Sequence, residues 1–159
     1  MALVKCQTIS GKIIEVEETE LFPRPCVYCL VVNDKNELLV ENPKEEEGKY
    51  WFIGGGLEKD EDPKLALTRE AKEEAGVNIK VIEVLASLEY CYYHNKLNKY
   101  FRCNSDFYLC KYISPASAQG AQGVKTKWLK INELNEEEFH LLIRKVLEVL
   151  KVKLGCKKS

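Results

Sequence analysis

The sequence has no long apolar run and no strong excess of charge of either sign. No stretch of its 159 residues reaches the ~18 apolar residues of a membrane span. With 24 basic and 25 acidic residues, it lacks the strong positive field of a general nucleic-acid binder. The N-terminus also lacks the basic lead and apolar run of a secretory signal. These absences predict a cytoplasmic protein with no membrane partner and no stable nucleic-acid partner.

Internal repeats, low-complexity tracts and linker-like segments are absent as well. Hydrophobic residues make up 45% of the chain, which is enough for one compact domain with its own core. We therefore expect a single domain over residues 1–159. It would begin with a β-hairpin over residues 1–20 and end in a flexible tail over residues 155–159. A monomer and a homodimer both remain open.

The seven cysteines show no paired spacing that would indicate a metal or redox site. Cys26 and Cys29 form a CxxC, but they lie in an apolar run typical of a strand. Positions three apart on a strand point to opposite faces. A redox CxxC normally opens a helix, and a zinc site would need a second matching pair. We interpret the cysteines as free thiols that pack like small apolar residues.

The remaining pattern predicts a sheet with two separate helices. Strands are expected over residues 3–8, 12–17, 26–32, 37–40, 50–53, 79–93, 99–112 and 128–131, with irregular structure at 21–25 and a loop at 41–50. One helix is expected to begin at Pro63 and end at Gly76. A second is expected over residues 135–154, with Asn135 as its cap and Glu138 as the capping-box partner. This order suggests an α/β fold with a helix on each face of the sheet.

Glutamates are concentrated on one face of the first predicted helix. Glu70, Glu73 and Glu74 stand at spacings of three and four residues, which places their carboxylates together. Like charges at this spacing destabilise a helix by ~0.2–0.5 kcal/mol per pair, so a compensating cation is expected. Oxygen ligands suit Mg²⁺ or Mn²⁺. A solvated acidic helix face is the alternative interpretation, since glutamate is common on helix surfaces.

The residues just before this helix favour a binding site. The glycines at 54–56 allow the backbone to approach a ligand closely. Beside them, Trp51 and Phe52 are candidates for the wall of a base-binding cleft, with core packing as an equal alternative. The glycine turn and the acidic helix together indicate a catalytic segment.

The segment over residues 55–77 resembles the Nudix box, G-x5-E-x7-R-E-U-x-E-E-x-G-U, where U is a bulky aliphatic residue. All the fixed positions are filled, by Gly55, Glu61, Arg69, Glu70, Ala71, Glu73, Glu74, Gly76 and Val77. Only Ala71 is smaller than the commonest choice. The order of elements also looks like the α/β/α sandwich of that family, with a mixed sheet between helices, over nearly the whole chain.

The resemblance implies a pyrophosphohydrolase that cuts phosphoanhydrides in nucleotide-like molecules. Glu70, Glu73 and Glu74 would bind Mg²⁺, with Mn²⁺ as a substitute, and the carbonyl of Gly54 or Gly55 would complete the site. The metal would clamp and polarise the pyrophosphate while a water attacks phosphorus.

Two further box residues are implied to support the metal site. Arg69 would hold a box carboxylate by ion pairing, and we count it with the three glutamates as a candidate catalytic residue. Glu61 would help to shape the loop or bind an outer metal.

The chain departs from the family pattern in two places. Ile53 stands where many relatives have proline, which should alter loop stiffness. Many relatives also place an extra acid, a base or metal ligand, in a loop before the last strand, but residues 107–132 contain no Asp or Glu. The candidates for the base are therefore Glu73, Glu74, Asp106 and Glu89. A metal-bound hydroxide that needs no separate base is the alternative.

The box does not specify the substrate. Arg24, Gly55 and Tyr92 are the first candidates for substrate contacts. Further candidates are Tyr90, Tyr93, His94, Tyr100 and Arg102. The aromatic run at 89–94 predicts either base stacking or one core-facing side of a strand.

Three functional hypotheses remain. The first is hydrolysis of a nucleoside triphosphate, including oxidised forms such as 8-oxo-dGTP, to the monophosphate and pyrophosphate. The second keeps this chemistry for ADP-ribose, a dinucleotide or another nucleoside-diphosphate derivative. The third is a non-catalytic nucleotide-binding module on the same fold, against which the intact acids argue.

Overall fold

The computed structural model describes residues 1–42, 49–116 and 125–156. Within these ranges, the strands are β1 Leu3–Gln7, β2 Ile13–Glu17, β3 Leu21–Val32, β4 Glu37–Asn42, β5 Ile53–Gly56, β6 Val77–His94, β7 Lys99–Pro115 and β8 Lys125–Lys130. The α-helices are α1 Pro63–Ala75 and α2 Arg144–Lys153. Short 3-10 turns cover Glu18–Glu20, Ile131–Glu133, Glu136–Glu138 and Leu141–Ile143.

The strands form one mixed sheet in the order β2-β1-β6-β7-β3-β4-β8, and β5 pairs with β3. The long strands β6 and β7 form an antiparallel hairpin with several register shifts, which curl the sheet. β3 runs parallel to β7 along its whole length, from Leu21 beside Tyr100 to Val32 beside Lys111. The mixed sheet predicted from the sequence is confirmed.

Each face of the sheet carries one hydrophobic core and one α-helix. Along β3, Val27, Cys29 and Val31 contribute to the core beneath α1, whereas Leu30 contributes to the core beneath α2. This alternation follows from the two-residue period of a strand. The buried helix residues are Ala66, Leu67 and Ala71 on α1, and Val146, Leu147 and Leu150 on α2. The predicted α/β/α sandwich is therefore the observed fold.

The prediction of irregular structure at residues 21–25 is wrong, because β3 already begins at Leu21. The two prolines in this stretch cost no hydrogen bond to β7. The carbonyl of Pro25 accepts from the amide of Leu57 at 2.9 Å, on the side away from β7. The N–H and C=O groups of one strand residue point to the same side, so an N–H group on Pro25 would also point away from β7. The same holds for Pro23, two residues earlier. The N–H groups that these prolines lack would therefore not have donated to β7.

The predicted helix over residues 135–154 is too long, since α2 begins only at Arg144. Tyr50 pairs with the backbone ahead of α2: its amide donates to the Glu138 carbonyl at 2.8 Å, and its carbonyl accepts from the His140 amide at 3.3 Å. The Glu138 carbonyl and the His140 amide are therefore bonded to Tyr50 and are not available for the hydrogen bonds of a continuous helix. Asn135 does cap a turn, accepting from the Glu137 amide at 3.0 Å, but it starts a 3-10 turn without the predicted capping box.

Other boundaries differ by a few residues. β4 continues through Asn42 into the predicted loop, and residues 43–48 of that loop lie outside the described residues. The predicted strand over residues 50–53 is replaced by two isolated bridges, at Tyr50 and Trp51, followed by β5. In the predicted tail, residues 157–159 lie outside the described residues. Neither described α-helix is long and apolar enough to cross a membrane.

Candidate active site

Helix α1 begins and ends where the sequence predicted. The carboxylate of Asp62 accepts from the amides of Lys64 and Leu65, at 2.9 and 3.2 Å, and Pro63 takes the first helical position. Gly76 ends the helix with φ of 63°, a left-handed conformation that glycine adopts without strain. These caps set the ends of the helix, and burial of Ala66, Leu67 and Ala71 against the sheet sets its rotation, which places its glutamates beside β5.

Arg69 lies at the centre of the glutamates. Its Nε and Nη2 donate to the two oxygens of Glu61 at 2.8 and 2.9 Å, a bidentate pair. Its Nη1 donates at 3.1 Å both to Glu70 Oε1 and to Glu73 Oε2. The Arg69 guanidinium thereby holds the pKa of Glu61 below its usual range. One side chain thus ties the loop before α1 to two acids on the helix, an ion pairing of the kind the resemblance implies.

Glu70 is largely buried beside the glycine turn. It is 9% exposed, and a Cβ atom on Gly55 would lie 3.4 Å from its Oε1 atom. Burial raises the pKa of Glu70, and Arg69 only partly offsets this effect.

Glu74 is also withdrawn from solvent. Its Oε2 accepts from the amide of Gly54 at 3.0 Å, yet burial raises its pKa to about 8, with the charges of Glu41, Glu70 and Glu73 adding to the rise. Glu73 is more open, with 56% of its side chain exposed. We call Glu70, Glu73 and Glu74 the acidic edge.

The sequence predicted a turn at the glycines of residues 54–56, but these glycines pair with β3 as part of β5. This glycine segment, for which we keep the name glycine turn, joins the acidic edge to a cleft. Gly54 has φ of 144°, and a Cβ atom there would lie 2.1 Å from the carbonyl oxygen of Val27, so no side chain fits. A Cβ atom on Gly56 would lie 2.9 Å from Nε of Arg24. The close packing of β5 on β3 therefore places the backbone of β5 in contact with both the acidic edge and Arg24.

The cleft has a volume of about 580 Å³, within the range of small-molecule sites. The predicted site residues that line it are Arg24, Gly54, Gly55, Glu74, Tyr90, Tyr92 and His94. Trp51, Tyr92 and His140 form what we call the aromatic wall. The His140 ring centroid lies 5.1 Å from that of Trp51 and 6.4 Å from that of Tyr92.

Several candidates from the sequence lie elsewhere. Phe52 is fully buried in the core beneath α2, so core packing is the correct alternative for this residue. Tyr93 and Tyr100 do not line the cleft; their rings contact each other with centroids 4.9 Å apart. Arg102 pairs instead with Glu18 of the N-terminal region, at 2.7 Å.

Two candidate bases also lie away from the cleft. Asp106 accepts a hydrogen bond from the Ser87 hydroxyl at 2.6 Å, and Glu89 faces Arg102 at 4.0 Å. Neither side chain is among the described residues that line the cleft. Of the four acids named from the sequence, Glu74 alone lines it.

Among the lining residues that the sequence did not indicate, four are charged residues or histidine, which are Glu41, Lys49, Lys96 and His140. Glu41 follows the buried run of β4, and its place at the end of that strand was the only available signal. His140 Nδ1 accepts from the Leu142 amide at 3.3 Å, so the other nitrogen, 3.3 Å from the Thr8 carbonyl, carries the proton. Such long-range contacts leave no local pattern.

The acidic edge suits a hard divalent cation but is not a ready-made cage. Among the described residues, no three His, Cys, Asp or Glu side chains converge as a metal cluster. Arg69 engages Glu70 and Glu73, so the three box acids do not meet at one point. Mg²⁺ does not need such a cage, because it keeps several waters and takes one or two carboxylates together with substrate phosphates. Raised pKa values at Glu70 and Glu74 mark crowded, desolvated carboxylates, which a cation would stabilise.

Comparison with known proteins supports the same family. The Nudix domain model matches residues 22–150. An RNA pyrophosphohydrolase of Roseobacter denitrificans is 40% identical over 75 residues, covering 46% of this chain and 47% of the relative. A CTP pyrophosphohydrolase of Escherichia coli is 36% identical over 63 residues, 38% of this chain and 47% of the relative. An NAD-capped RNA hydrolase of Vibrio atlanticus is 37% identical over 68 residues, 42% of this chain and 25% of the relative. The chain thus spans about half or less of these relatives.

Solved structures agree on the fold. A Nudix hydrolase from Nitrosomonas europaea matches with a TM-score of 0.65 at 17% identity, covering 83% of this chain and 90% of that one. A MutT Nudix hydrolase from Burkholderia pseudomallei gives 0.62 at 18% identity, covering 81% and 98%. The matched family model contains the whole segment from Gly55 to Val77 and extends over most of the chain. The chain therefore belongs to the Nudix domain family, as its box residues predicted.

Proposed function

We propose that this protein is a divalent-metal-dependent pyrophosphohydrolase of nucleotide derivatives. The observation that carries the proposal is the joining of the acidic edge to a nucleotide-sized cleft through the glycine turn. Glu74 belongs to both, since it lies on α1, accepts from the Gly54 amide and lines the cleft. A phosphoanhydride bound along the turn would therefore lie between the acids and the cleft. The similar proteins named above, an RNA pyrophosphohydrolase, an NAD-capped RNA hydrolase and a CTP pyrophosphohydrolase, support the same reaction class.

The metal-binding residues in this proposal are Glu70, Glu73 and Glu74, with a backbone oxygen of Gly54 or Gly55. Bound there, Mg²⁺ would supply Lewis-acid polarisation of the phosphates and an activated water. Arg69 acts as a positioning residue, because its three ion pairs hold Glu61, Glu70 and Glu73 in one arrangement.

Other residues that line the cleft have the chemistry to hold the rest of a nucleotide. The Arg24 guanidinium packs against the glycine turn and over the Phe101 ring, at 4.8 Å from its centroid, so it is held in place to contact a phosphate. Trp51 and Tyr92 offer aromatic surface for a base. Since the acids and Arg24 flank the glycine turn, and Trp51 and Tyr92 belong to the aromatic wall, a nucleotide would bind with its phosphates toward α1.

A nucleoside triphosphate, including an oxidised one such as 8-oxo-dGTP, is the first substrate class in this proposal, with the monophosphate and pyrophosphate as products. The size of the cleft favours one nucleotide unit, since about 580 Å³ is in the lower half of the usual range of ligand sites. ADP-ribose, a dinucleotide and other nucleoside-diphosphate derivatives form the second class. The relatives named above make RNA, NAD-capped RNA and CTP necessary members of any substrate panel.

The test is a panel of these nucleotides with Mg²⁺ or Mn²⁺, with all phosphorylated products separated by chromatography: a triphosphate would yield a monophosphate and pyrophosphate, and a diphosphate derivative would yield two monophosphates. The wild-type protein should hydrolyse at least one member, and Glu73→Gln or Glu74→Gln should lower that activity strongly. The Glu89→Gln variant is the matched control, because Glu89 lies beside Arg102, away from the cleft. If the wild-type protein releases no product from any member with either metal, the enzyme proposal is wrong and a non-catalytic nucleotide-binding module is the better description.

A further inference from the structure

Glu41 occupies the point where β4 meets the cleft. Its amide donates to the Trp51 carbonyl at 2.8 Å, and its carbonyl accepts from the Trp51 amide at 3.3 Å. This bridge fixes the backbone of Glu41 beside the aromatic wall. The side chain is partly buried and lines the cleft together with Glu74 and Gly55. Glu41 therefore brings a carboxylate from outside the box to the cleft, on a strand whose backbone is held in place by Trp51.

The acids of the site differ in how their charge is balanced. Arg69 forms ion pairs with Glu61, Glu70 and Glu73. Glu74 instead accepts from a neutral backbone amide, and the charge of Glu41 raises its pKa further. Glu41 is itself partly desolvated, and the charge of Glu70 adds to the rise in its pKa. Glu41 and Glu74 thus line the same cleft, and in the described part of the chain Arg69 forms an ion pair with neither of them.

We propose that Glu41 is a metal-binding residue, which shares a divalent cation with Glu74 at the mouth of the cleft. The inference rests on the proposed function and extends its metal site by one carboxylate from β4. It also answers the lack of any acid in residues 107–132, because an acid on β4 reaches the site from another side. Two carboxylates, with waters and substrate phosphates, are a sufficient set for Mg²⁺. Partly desolvated carboxylates that repel each other gain most from a shared cation.

A different role for Glu41 would be to hold the turn between β6 and β7. Lys96 lies on that turn and lines the cleft, and its charge lowers the pKa of Glu41. In that case Glu41 would act on the cleft through Lys96. The two roles predict opposite effects of Lys96→Met on metal affinity. If Glu41 acts only through Lys96, this variant should weaken Mn²⁺ binding as Glu41→Gln does. If Glu41 binds the cation, Lys96 competes with it, and Lys96→Met should leave metal affinity unchanged or increase it.

The experiment measures Mn²⁺ binding to the full chain without nucleotide, by the loss of the free-ion signal in electron paramagnetic resonance. Glu41→Gln and Glu74→Gln should each weaken Mn²⁺ binding by about tenfold or more, at the lower end of effects at metal sites. The double variant should lose less than the product of the two single effects, since both side chains would serve one ion. Glu41→Asp, which keeps the charge, should retain more affinity than Glu41→Gln.

The matched control is Glu37→Gln, on the same strand but hydrogen-bonded to the Asn33 side chain and away from the cleft. It should bind Mn²⁺ as the wild-type protein does, and thermal melts should show that all variants fold. Unchanged Mn²⁺ affinity in Glu41→Gln, with a loss in Glu74→Gln, would overturn this inference and leave the proposed function intact. Equal weakening by Lys96→Met and Glu41→Gln would also overturn it. Failure of the wild-type protein to bind Mn²⁺ would overturn this inference, whereas failure to hydrolyse any nucleotide with either metal would overturn the proposed function.

Discussion

The acidic edge and the aromatic wall lie on one cleft but are built in different ways. The acidic edge comes from a single helix, and its three glutamates fall within five consecutive residues. The aromatic wall joins Trp51, Tyr92 and His140, which come from the segment before β5, from β6 and from the segment before α2. In the first, helix geometry alone sets the spacing of the side chains. In the second, only the complete fold brings the side chains together.

This difference teaches where function can be altered without loss of the fold. Removing a charge from the acidic edge relieves repulsion, so it should affect binding and turnover more than stability. Removing a ring or the His140 imidazole from the aromatic wall also removes contacts between distant segments. It should therefore affect stability and substrate affinity together. The predictions below test this contrast, from the largest effect to the smallest.

The largest effect is expected for Glu74→Gln. The variant should lose about 100-fold or more in kcat, because it removes a carboxylate from the metal site while keeping its shape. Its melting temperature without metal should not fall, because burial and neighbouring charges already raise the pKa of Glu74 to about 8. Steady-state kinetics and a thermal melt check the two parts. A large drop in melting temperature would show that Glu74 serves the fold.

Arg69→Lys should have the next largest effect. Lysine keeps the charge but cannot form the bidentate pair with Glu61 while also contacting Glu70 and Glu73. We expect a loss of about tenfold in kcat, of the size seen when supporting residues of a metal site are changed. Titrating Mn²⁺ into Arg69→Lys and into the wild-type protein checks the cause, because the variant should bind the metal more weakly. Full activity in Arg69→Lys would rule out the positioning role.

Trp51→Leu should weaken substrate binding more than turnover. An aromatic ring that stacks on a base contributes about 1–3 kcal/mol. The KM should therefore rise by about tenfold, with kcat changed much less. KM and kcat should be measured for a nucleotide and for the matching sugar phosphate without a base. The rise in KM should appear with the nucleotide and not with the sugar phosphate. If both substrates are affected equally, Trp51 supports the shape of the cleft and does not contact the base.

His140→Asn should lower stability and alter its dependence on pH. The substitution disturbs the link to the Thr8 carbonyl, at a cost of about 1–3 kcal/mol for an unsatisfied buried group. Burial lowers the pKa of His140, aided by the charges of Arg144 and Lys49. The unfolded chain therefore binds the proton more readily, and wild-type stability should fall as pH drops below the ordinary value of 6.5. This part of the pH dependence should be missing from the melts of His140→Asn.

The smallest effect is expected for Arg102→Ala. This residue pairs with Glu18 on the molecular surface, away from the cleft. Exposed ion pairs contribute about 0–1 kcal/mol, so the melting temperature should change little and kcat/KM should stay within twofold. A large loss of activity would place the substrate outside the cleft described above.

Much of the fold and the acidic edge could be predicted because their signals are local. The caps at Asp62 and Gly76 and the spacing of the glutamates depend on neighbours within one helix. The alternation along β3 likewise shows in the sequence, and it places Cys26 and Cys29 in different clusters. The sequence therefore predicted α1, the central strands and the family correctly.

The rest depended on contacts between distant residues. Tyr50 pairs with the backbone around Phe139, so the C-terminal segment stays non-helical until Arg144 despite its helical pattern. Glu41 ends an apolar strand and has no motif of its own, and only the fold places it beside Glu74. Residues 117–124, between β7 and β8, lie outside the described residues.

The central claim is that the acidic edge binds a metal ion used to hydrolyse a phosphoanhydride. Its most direct test is hydrolysis in water enriched in oxygen-18, with Mg²⁺ titrated into the metal-free protein and the products analysed by mass spectrometry. We predict product that rises with Mg²⁺, carries one labelled oxygen on a single phosphate product, and disappears when a chelator is added. Product formed at the same rate without any divalent metal, or no product from any nucleotide at saturating Mg²⁺ or Mn²⁺, would contradict the account.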